Sequence, residues 1–410
     1  MKNRILTKLI GLGLVSFLIS GQLLGCAGNT SGNVENQSNE TKLEDNDMKM
    51  NNSAQAADLA IEVLKSNDEK NKLISPLSVM MAMGMAANGA EGDTRSELFG
   101  ALSIGDEDSF NKAMKKYVMA SGEEDSQLKV ANGIWANADV SVEKKYEKEM
   151  EESFGARVKA GKFDSATLDD INGFVDKNTD GQIKKLYTEL PSDASVILVD
   201  ALSFQGKWEE PYEDYDLVPD SDFTSEDGSV SKVTMLTGKN HELIEVEGAK
   251  GFILPYEGGE YTFAALLPKE GQSVDKLLKK LDGEKLTKAL NNPSDKTVHY
   301  KLPEFSFDND LELSDFCMDK GAKKAFSGEA DFSKMLGKSS GYFLSSVYHK
   351  THITLDREGT RAAAATGVMT LGAPLELEYE EVNLDRPFVY MILDAKTNTP
   401  VFMGVCDEIK

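Results

Sequence analysis

The sequence predicts an α+β fold with large antiparallel sheets, and three observations support this prediction. Patterns typical of helices dominate the first part of the folded region, and patterns typical of strands dominate from Ser195 onward. The two kinds of pattern do not alternate as regular βαβ units, and nothing repeats with a period of about 20 to 50 residues. With 410 residues, of which 40 % are hydrophobic and 28 % charged, the chain can bury a sizeable core.

Residues 1–25 are predicted to be a lipoprotein signal peptide. Lys2, Arg4 and Lys8 precede the apolar run LIGLGLVSFLIS, which is too short to span a bilayer comfortably. The following LLGC, which ends at Cys26, resembles the lipobox of bacterial lipoproteins. This resemblance implies cleavage before Cys26 and a lipid on its side chain. An ordinary secretory signal with an incidental cysteine is the alternative.

Residues 26–52 are predicted to be the lipidated cysteine and a disordered tether. They contain almost no large apolar residues, so they cannot bury enough surface to fold. The soluble domain is therefore residues 53–410. We expect it on the extracellular face of a bacterial cell membrane, either anchored by the lipid or shed.

The first elements of this domain are predicted to be helices. Residues 54–64 have helical spacing, and Ser75-Pro76 interrupts the pattern. The helix predicted for Ser78–Asn88 carries small residues and methionines on every side, so it must be buried. Gly89 marks its end, and Thr94 is the expected N-cap of the next helix.

The later elements are predicted mainly as strands. Residues 127–138 form a strand pattern, followed by helical patterns at 141–154 and 168–183. Strands are then expected within 195–208, 251–270, 297–310, 341–355 and 375–396, interrupted by helices at 273–281 and 313–326.

The charge of the chain excludes several classes of partner. A net charge of −24 argues against nucleic acid and anionic membrane surfaces, and no dense cluster of Lys and Arg is available for a heparin-like polyanion. Beyond Cys26, only Cys317 and Cys406 remain. They leave one disulfide open as an option, but the domain is not a disulfide scaffold.

The sequence offers no strong catalytic or metal site. Residues 337–341, GKSSG, match the G-x-S-x-G expression, but no buried strand precedes them as a nucleophile elbow at Ser339 requires, so we predict a turn. His349 and His352 are three apart in a strand pattern and therefore point to opposite faces. We expect no catalytic residue, no metal and no cofactor. A hydrolase built around Ser339 is the least favoured alternative.

Four motifs resemble the serpin family, and together they span about residues 54–405. They are NKLISPLSV at 71–79, SFQGKWEEPY at 203–212, VNLDRPFVYMILD to PVFMGVC within 382–406, and the small-residue stretch DREGTRAAAATGVMTLGAP at 356–374. The resemblance implies three sheets, eight or nine helices, and an exposed reactive-centre loop at about residues 357–381. It also implies a monomeric suicide inhibitor.

In that family, a protease cuts the loop and forms an acyl-enzyme, and the cut loop then inserts into the main sheet as a new strand. The resemblance therefore implies inhibition of extracellular serine proteases, with cysteine proteases as further targets. Its alternative is a non-inhibitory binding or carrier protein that proteases cleave only as a substrate.

The proposed hinge of the loop is rich in small residues. Side chains that alternate along an inserting strand become core, so bulky or charged residues there would stall insertion. Counting by two from Thr360 gives only small residues, and Gly359 supplies backbone freedom. The hinge residues are Arg357, Glu358, Gly359, Thr360, Ala362, Ala364 and Thr366. Arg357 and Arg361 stand where the family commonly has acids; Arg357 is expected to weaken a hinge salt bridge, whereas Arg361 should point outward harmlessly.

Further residues match the family's sheet-opening cluster and the top of its main sheet. The cluster corresponds to Ser75, Ser78, Asp200 and His349, and Trp208 is expected near the top of the sheet. The family has Asn where this chain has Asp200, so a charge-assisted hydrogen bond to His349 would form if the two touch. We hypothesise that sheet opening depends on pH.

The scissile bond is predicted at Ala373-Pro374, by counting from Gly359 with the spacing usual in the family. Counting back from Pro387 instead gives Glu376, and because Pro374 is a poor leaving-side residue, Met369, Leu371 and Gly372 also stay open. A small or medium apolar residue suggests elastase-like or subtilisin-like targets. A trypsin-like target is disfavoured, because no Lys or Arg lies between residues 362 and 381.

Overall fold

The computed structural model describes residues 53–122, 127–137, 141–190, 196–337, 341–360 and 378–410. Within these ranges, ten α-helices and four sheets form a mixed α+β fold, which confirms the predicted fold class. Three of the sheets have four to six strands, matching the three predicted, and the fourth is a two-stranded ribbon. None of the described helices is long and apolar enough to cross a membrane. The predicted signal peptide and tether lie outside the described residues.

The helices cluster early in the chain. Helix α2 is buried along its whole length, in agreement with its continuous run of small and methionine residues. The ten helices are α1 (53–66), α2 (Pro76–Gly89), α3 (Gly92–Ala101), α4 (Glu107–Ser121), α5 (Lys144–Phe154), α6 (Ser165–Asn178), α7 (Val274–Lys280), α8 (Gly283–Leu290), α9 (Ser314–Asp319) and α10 (Ser333–Leu336).

Two local predictions are wrong. Thr94 lies inside α3 rather than capping it: the N-cap is Glu91, and the buried Thr94 hydroxyl accepts the backbone N–H of Asp331 at 3.0 Å. The helix predicted for 313–326 is broken. It consists of α9 and a 3₁₀ turn at Lys324–Phe326, separated at Gly321, whose φ of +112° does not continue a helix.

The main sheet has five strands in the order β12-β13-β4-β2-β3. The central strand β4 is buried at every position, since helix α2 packs on one face and the segment around α6 on the other. The pairs β13–β4 and β2–β3 are parallel, so this sheet is mixed rather than antiparallel as predicted. Its strands are β2 (Leu128–Ala136), β3 (Arg157–Ala160), β4 (Val196–Phe204), β12 (Phe305–Glu312) and β13 (Leu344–Leu355).

A second, six-stranded antiparallel sheet holds the rest of the core, in the order β1-β17-β16-β10-β9-β8. Strands β16 and β17 are buried throughout. This burial explains why their sequences are nearly continuous hydrophobic runs. The strands are β1 (Lys72–Ile74), β8 (Leu243–Val246), β9 (Ala249–Pro255), β10 (Tyr261–Pro268), β16 (Phe388–Asp394) and β17 (Thr399–Cys406).

The third sheet and the ribbon lie at the two ends of the predicted loop. The third sheet has the order β15-β11-β7-β6, and β15 begins at Glu380, within the last residues of the predicted loop. The ribbon pairs the start of the loop with the end of the β4 segment. These strands are β5 (Gly206–Lys207), β6 (Leu217–Thr224), β7 (Val230–Asn240), β11 (Val298–Pro303), β14 (Gly359–Thr360) and β15 (Glu380–Asn383).

Candidate functional site: a seam in the main sheet and the hinge above it

The parallel strands β4 and β13 form a seam in the main sheet. Their pairing runs from Leu344 opposite Val196 to His349 opposite Asp200. Beyond that level β13 continues to Leu355 and β4 to Phe204, and over these described residues the two strands are no longer paired. We call the paired half, from Leu344 and Val196 to His349 and Asp200, the lower half of the seam. In the upper half, the two facing strand edges are not paired with each other, so a further strand could pair with both.

The predicted sheet-opening cluster lies at the level where the pairing stops. Ser75 is the N-cap of α2, and its hydroxyl accepts the N–H of Ser78 at 3.1 Å. The N–H of Ser75 donates to Nε2 of His349 at 2.9 Å, and the Ser78 hydroxyl donates to Oδ1 of Asp200. All four residues are buried. The cluster therefore ties both strands of the seam to one helix end.

Asp200 and His349 are cross-strand partners, but in the described structure their side chains bond to α2 rather than to each other. The second oxygen of the Asp200 carboxyl, Oδ2, is buried without a hydrogen-bond partner. The charge-assisted hydrogen bond expected between Asp200 and His349 is therefore not formed.

Both side chains are held toward their neutral forms. Burial raises the pKa of the Asp200 carboxyl well above its usual range. Burial also lowers the pKa of His349 to about 4. The geometry agrees, since Nε2 accepts a hydrogen bond and the N-terminus of α2 disfavours a cation beside it.

The hinge segment, residues 356–360, already pairs at the top of the seam. Thr360 lies opposite Gly206 and Gly359 opposite Lys207, in an antiparallel ribbon. Gly359 has a φ of +149°, and a Cβ there would lie 2.0 Å from the carbonyl oxygen of Gly206, so only glycine fits. Thr360 is buried, and its hydroxyl lies 2.7 Å from the hydroxyl of Tyr256.

Trp208 holds the hinge segment in place through two hydrogen bonds. Its backbone N–H donates to the carbonyl of Glu358 at 3.0 Å, and its indole N–H donates to the carbonyl of Asp356 at 3.0 Å. The buried indole stacks on Tyr256 with ring centroids 4.8 Å apart. One tryptophan thus fixes two hinge carbonyls.

Arg357 is bound through its backbone and its side chain. The guanidinium donates to the Asp214 carboxylate at 2.8 Å and to the carbonyl of Tyr212 at 3.2 and 3.3 Å, and the backbone N–H donates to Glu304 at 3.1 Å. The hydrogen bond that the guanidinium donates to the Asp214 carboxylate raises the pKa of Arg357. The expected weakening of a hinge salt bridge is therefore offset by acids at positions 214 and 304.

Several predicted site residues lie outside the described residues, so their roles stay predictions. They are Cys26, Ser339, Arg361, Ala362, Ala364, Thr366, Met369, Leu371, Gly372, Ala373, Pro374 and Glu376.

The histidines and cysteines that the structure describes outside the cluster do not form a site. His349 is buried in the cluster, whereas Nδ1 of His352 lies 2.9 Å from Asp308 on the outer face, so the two histidines point apart as predicted. Across the described ranges, no group of three or more metal-ligating side chains is assembled. Cys317 and Cys406 are buried free thiols, so the disulfide left open by the sequence is not formed.

Sequence reasoning missed the residues that receive the hinge: Asp214, Tyr256 and Glu304. They lie 143, 104 and 53 residues along the chain from their hinge partners. Nothing in a single sequence couples positions so far apart.

Comparison with known proteins identifies the family. The sequence model of one family, Serpin (serine protease inhibitor), matches residues 50–408. Iripin-8 of Ixodes ricinus is 30 % identical over 84 % of this chain and 89 % of its own length. The crystal structure of a thermophilic serpin, tengpin, in its native state is 33 % identical, with a TM-score of 0.81 over 87 % of this chain and 94 % of that one.

Human thyroxine-binding globulin complexed with its ligand also has this fold. It is 21 % identical, with a TM-score of 0.79 over 88 % of this chain and 99 % of that one. At this identity the likeness extends to the fold alone. It also shows that a protein with this architecture can bind a small molecule.

Proposed function

The chain belongs to the serpin family of serine protease inhibitors, and on that basis we propose that it is a suicide inhibitor of extracellular serine proteases. A protease cuts the exposed loop, and the cut loop enters the seam between β4 and β13 before the acyl-enzyme is hydrolysed. The observation that carries this proposal is the hinge, which is already paired in antiparallel register at the open end of the seam.

The register of the hinge predicts where each loop residue would lie. If Thr360 stays opposite Gly206 and the strand continues, Ala362 falls opposite Phe204, Ala364 opposite Leu202 and Thr366 opposite Asp200. Every residue of β4 is buried, so the inward side chains of the new strand must fit into a packed core. The three small residues meet this requirement.

The same register favours some scissile bonds over others. Val196, the first residue of β4, is the one farthest from the hinge and would lie opposite Thr370. A loop cut after Met369 could therefore not cover the whole of β4. Cleavage after Leu371, Gly372, Ala373 or Glu376 leaves enough chain. The apolar choices among these support elastase-like or subtilisin-like targets.

Insertion can release enough free energy to displace a protein. About ten new ladder hydrogen bonds, each contributing about 1 kcal/mol net, give a total on the order of ten kcal/mol. The uncut chain would then be kinetically trapped, since it reaches this lower state only after cleavage frees the loop.

A carrier role is the alternative, because thyroxine-binding globulin is a protein of this fold that binds a small molecule. A cleft of about 760 Å³ in this chain is lined mainly by polar and charged residues, including Asp222, Glu226, Glu270 and Arg386. Apolar ligands prefer apolar pockets. This cleft therefore adds no support to the carrier role.

We further propose that the inhibitor is a monomer tethered through a lipid on Cys26 to the outer face of a bacterial membrane. The support is the sequence alone, namely the apolar leader, the LLGC motif and the polar stretch that follows. Two or three acyl chains would anchor it firmly, at about 0.8 kcal/mol per buried CH₂.

The deciding experiment incubates residues 27–410 with elastase, subtilisin, trypsin and a papain-like protease. A complex that survives denaturing gels would establish trapping, and the mass of the released C-terminal peptide would give the scissile bond. Thr360→Arg should convert the inhibitor into a substrate, because a charged side chain would enter the core. Thr360→Val is the matched control and should still trap. Cleavage without any complex across the panel would refute the proposal.

A further inference from the structure

Exposed apolar side chains concentrate at the two ends of the loop. The described surface has six well-exposed large hydrophobic residues, and three of them, Tyr215, Val218 and Tyr379, lie at these ends. Tyr215 is 73 % exposed and Tyr379 is 49 % exposed. Tyrosine is enriched among the residues that dominate protein interfaces, and two exposed tyrosines mark the two ends of the loop.

Tyr215 lies on a rigid turn beside the N-terminal end of the loop. The turn Asp214–Asp216 is closed by a capping box between Glu213 and Asp216, and the carbonyl of Asp216 accepts the hydroxyl of Thr237 at 2.9 Å. Its first residue, Asp214, holds Arg357 of the hinge. The turn that carries the exposed ring is therefore held next to the loop.

Tyr379 is held at the C-terminal end of the loop. It immediately precedes β15, and its ring stacks on the ring of His299 with centroids 4.1 Å apart and planes 9° apart. Half of the side chain still faces water. A ring fixed in this way loses little conformational entropy on binding, which makes it a good anchor for a partner.

Acidic side chains surround both tyrosines. The exposed ones are Glu209, Glu210, Asp214 and Asp220 near Tyr215, and Glu378 and Glu381 near Tyr379. Between the last two, Glu380 is paired with Lys250 at 3.2 Å and Lys296 at 3.8 Å. Exposed lysines also lie in this sheet, since Lys239 is opposite His299 and Lys301 is two residues further along the same strand. The exposed acids outnumber them, so the net charge of the surface is negative, and its complement is a basic surface with room for two rings.

We propose that Tyr215 and Tyr379, with these acids, form a docking surface for the body of the attacking protease, and that this surface selects proteases with a basic rim around the active site. The inference rests on the proposed function. The occupant follows from position, since the two tyrosines lie beside the two ends of the segment that the attacking protease binds in the proposed function.

The test measures the association rate constant of residues 27–410 with neutrophil elastase, a cationic serine protease, with subtilisin in parallel. Tyr215→Ala and Tyr379→Ala should each slow complex formation with elastase about five- to tenfold. Each should also weaken, by a similar factor, binding to an inactive elastase that has alanine in place of its nucleophilic serine. Tyr215→Phe and Tyr379→Phe should retain most of the rate. The fraction of protease that ends up trapped should stay constant, because these substitutions change the association of the two proteins and not the insertion of the cut loop.

Val230→Ala is the matched control. Val230 is 57 % exposed in the same sheet, at the far end of the β6–β7 hairpin. Its variant should associate at the wild-type rate. Equal rates for all variants, with wild-type trapping intact, would overturn this inference alone. A wild-type chain that traps neither elastase nor subtilisin would overturn this inference, and one that traps none of the four proteases in the panel would overturn the proposed function as well.

Discussion

Replacing the buried acid of the seam should change how the stability of the protein depends on pH. Asp200 is buried, accepts one hydrogen bond from Ser78, and leaves its second oxygen unpaired. Burial raises its pKa in the folded state above the unfolded value. The neutral acid therefore contributes stability that is fully present below the unfolded pKa and is lost as pH rises toward the folded pKa. The substitution Asp200→Asn keeps the shape of the side chain but removes the group that titrates.

The magnitude follows from the linkage between one proton and folding. Between the unfolded and folded pKa values of Asp200, the free energy of unfolding of the wild type should fall by about 1.4 kcal/mol per pH unit from this group. His349 acts oppositely. Its pKa falls from 6.5 to about 4, so its contribution is present above pH 6.5 and is lost as pH falls toward 4. Above pH 6.5 the contribution of His349 is complete in both proteins, so the difference between them over that part of the range reports Asp200.

The assay is urea unfolding of wild type and Asp200→Asn at intervals from pH 5 to pH 8, with the difference in unfolding free energy plotted against pH. The variant should gain on the wild type as pH rises. Asp310→Asn is the control, because this carboxylate is 61 % exposed on the outer face of the same sheet beside Lys350 and should leave the slope unchanged. Parallel curves for Asp200→Asn and wild type would refute the reasoning.

The same two proteins test whether seam opening depends on pH. Charging Asp200 in the closed seam places a carboxylate in the core, which favours opening as pH rises. The ratio of the two complex-formation rates, wild type over Asp200→Asn, removes the pH dependence of the protease. This ratio should increase between pH 5 and pH 8, and a constant ratio would rule the hypothesis out.

Three further substitutions test the hinge. Gly359→Ala should lower the free energy of unfolding by about 1 to 3 kcal/mol, because the added Cβ would collide with backbone atoms. Gly228→Ala is the control in the same denaturant series. Gly228 has a φ of +83° but lies in open space, so this substitution should lower the free energy of unfolding by less. Arg357→Gln and Asp214→Asn should couple by less than about 1 kcal/mol in a double-mutant cycle, since Asp214 is 92 % exposed, and a larger coupling would show a buried pair. Trp208→Phe should lose about 1 kcal/mol with the indole hydrogen bond to the hinge, and unchanged thermal unfolding would contradict that role.

The sequence predicted the elements whose patterns are strong. Helix α2 was predictable because every side chain is apolar or small, and the buried strands β16 and β17 because their hydrophobic runs are continuous. The break after α9 was missed, because the helical pattern of 313–326 continues through Gly321 and only its positive φ interrupts it. Helix α4 was missed as well, since its three buried positions are too few to give a clear pattern.

The site was only partly predictable, for a different reason. The identities of Ser75, Ser78, Asp200 and His349 came from family motifs, while their contacts depend on where α2 begins relative to the seam. Likewise, Arg357 alone looked like an unpaired departure. Its partners Asp214 and Glu304 belong to other elements, so the compensation becomes visible only in three dimensions.

The contacts that close the seam differ in kind from the contacts available at the loop ends. Two steps of the proposed mechanism, association with the protease and insertion of the cut loop, should therefore respond differently to salt. The seam is closed by backbone pairing and neutral, buried hydrogen bonds, which salt does not screen. The loop ends carry exposed acids, whose attraction to a basic protease is screened within about 10 Å at 0.1 M salt. Raising salt should therefore slow association with a cationic elastase while leaving the ratio of trapped to released protease unchanged. A ratio that shifts with salt would mean that charges also control insertion, and Arg357 with its two acids would then be the first groups to substitute.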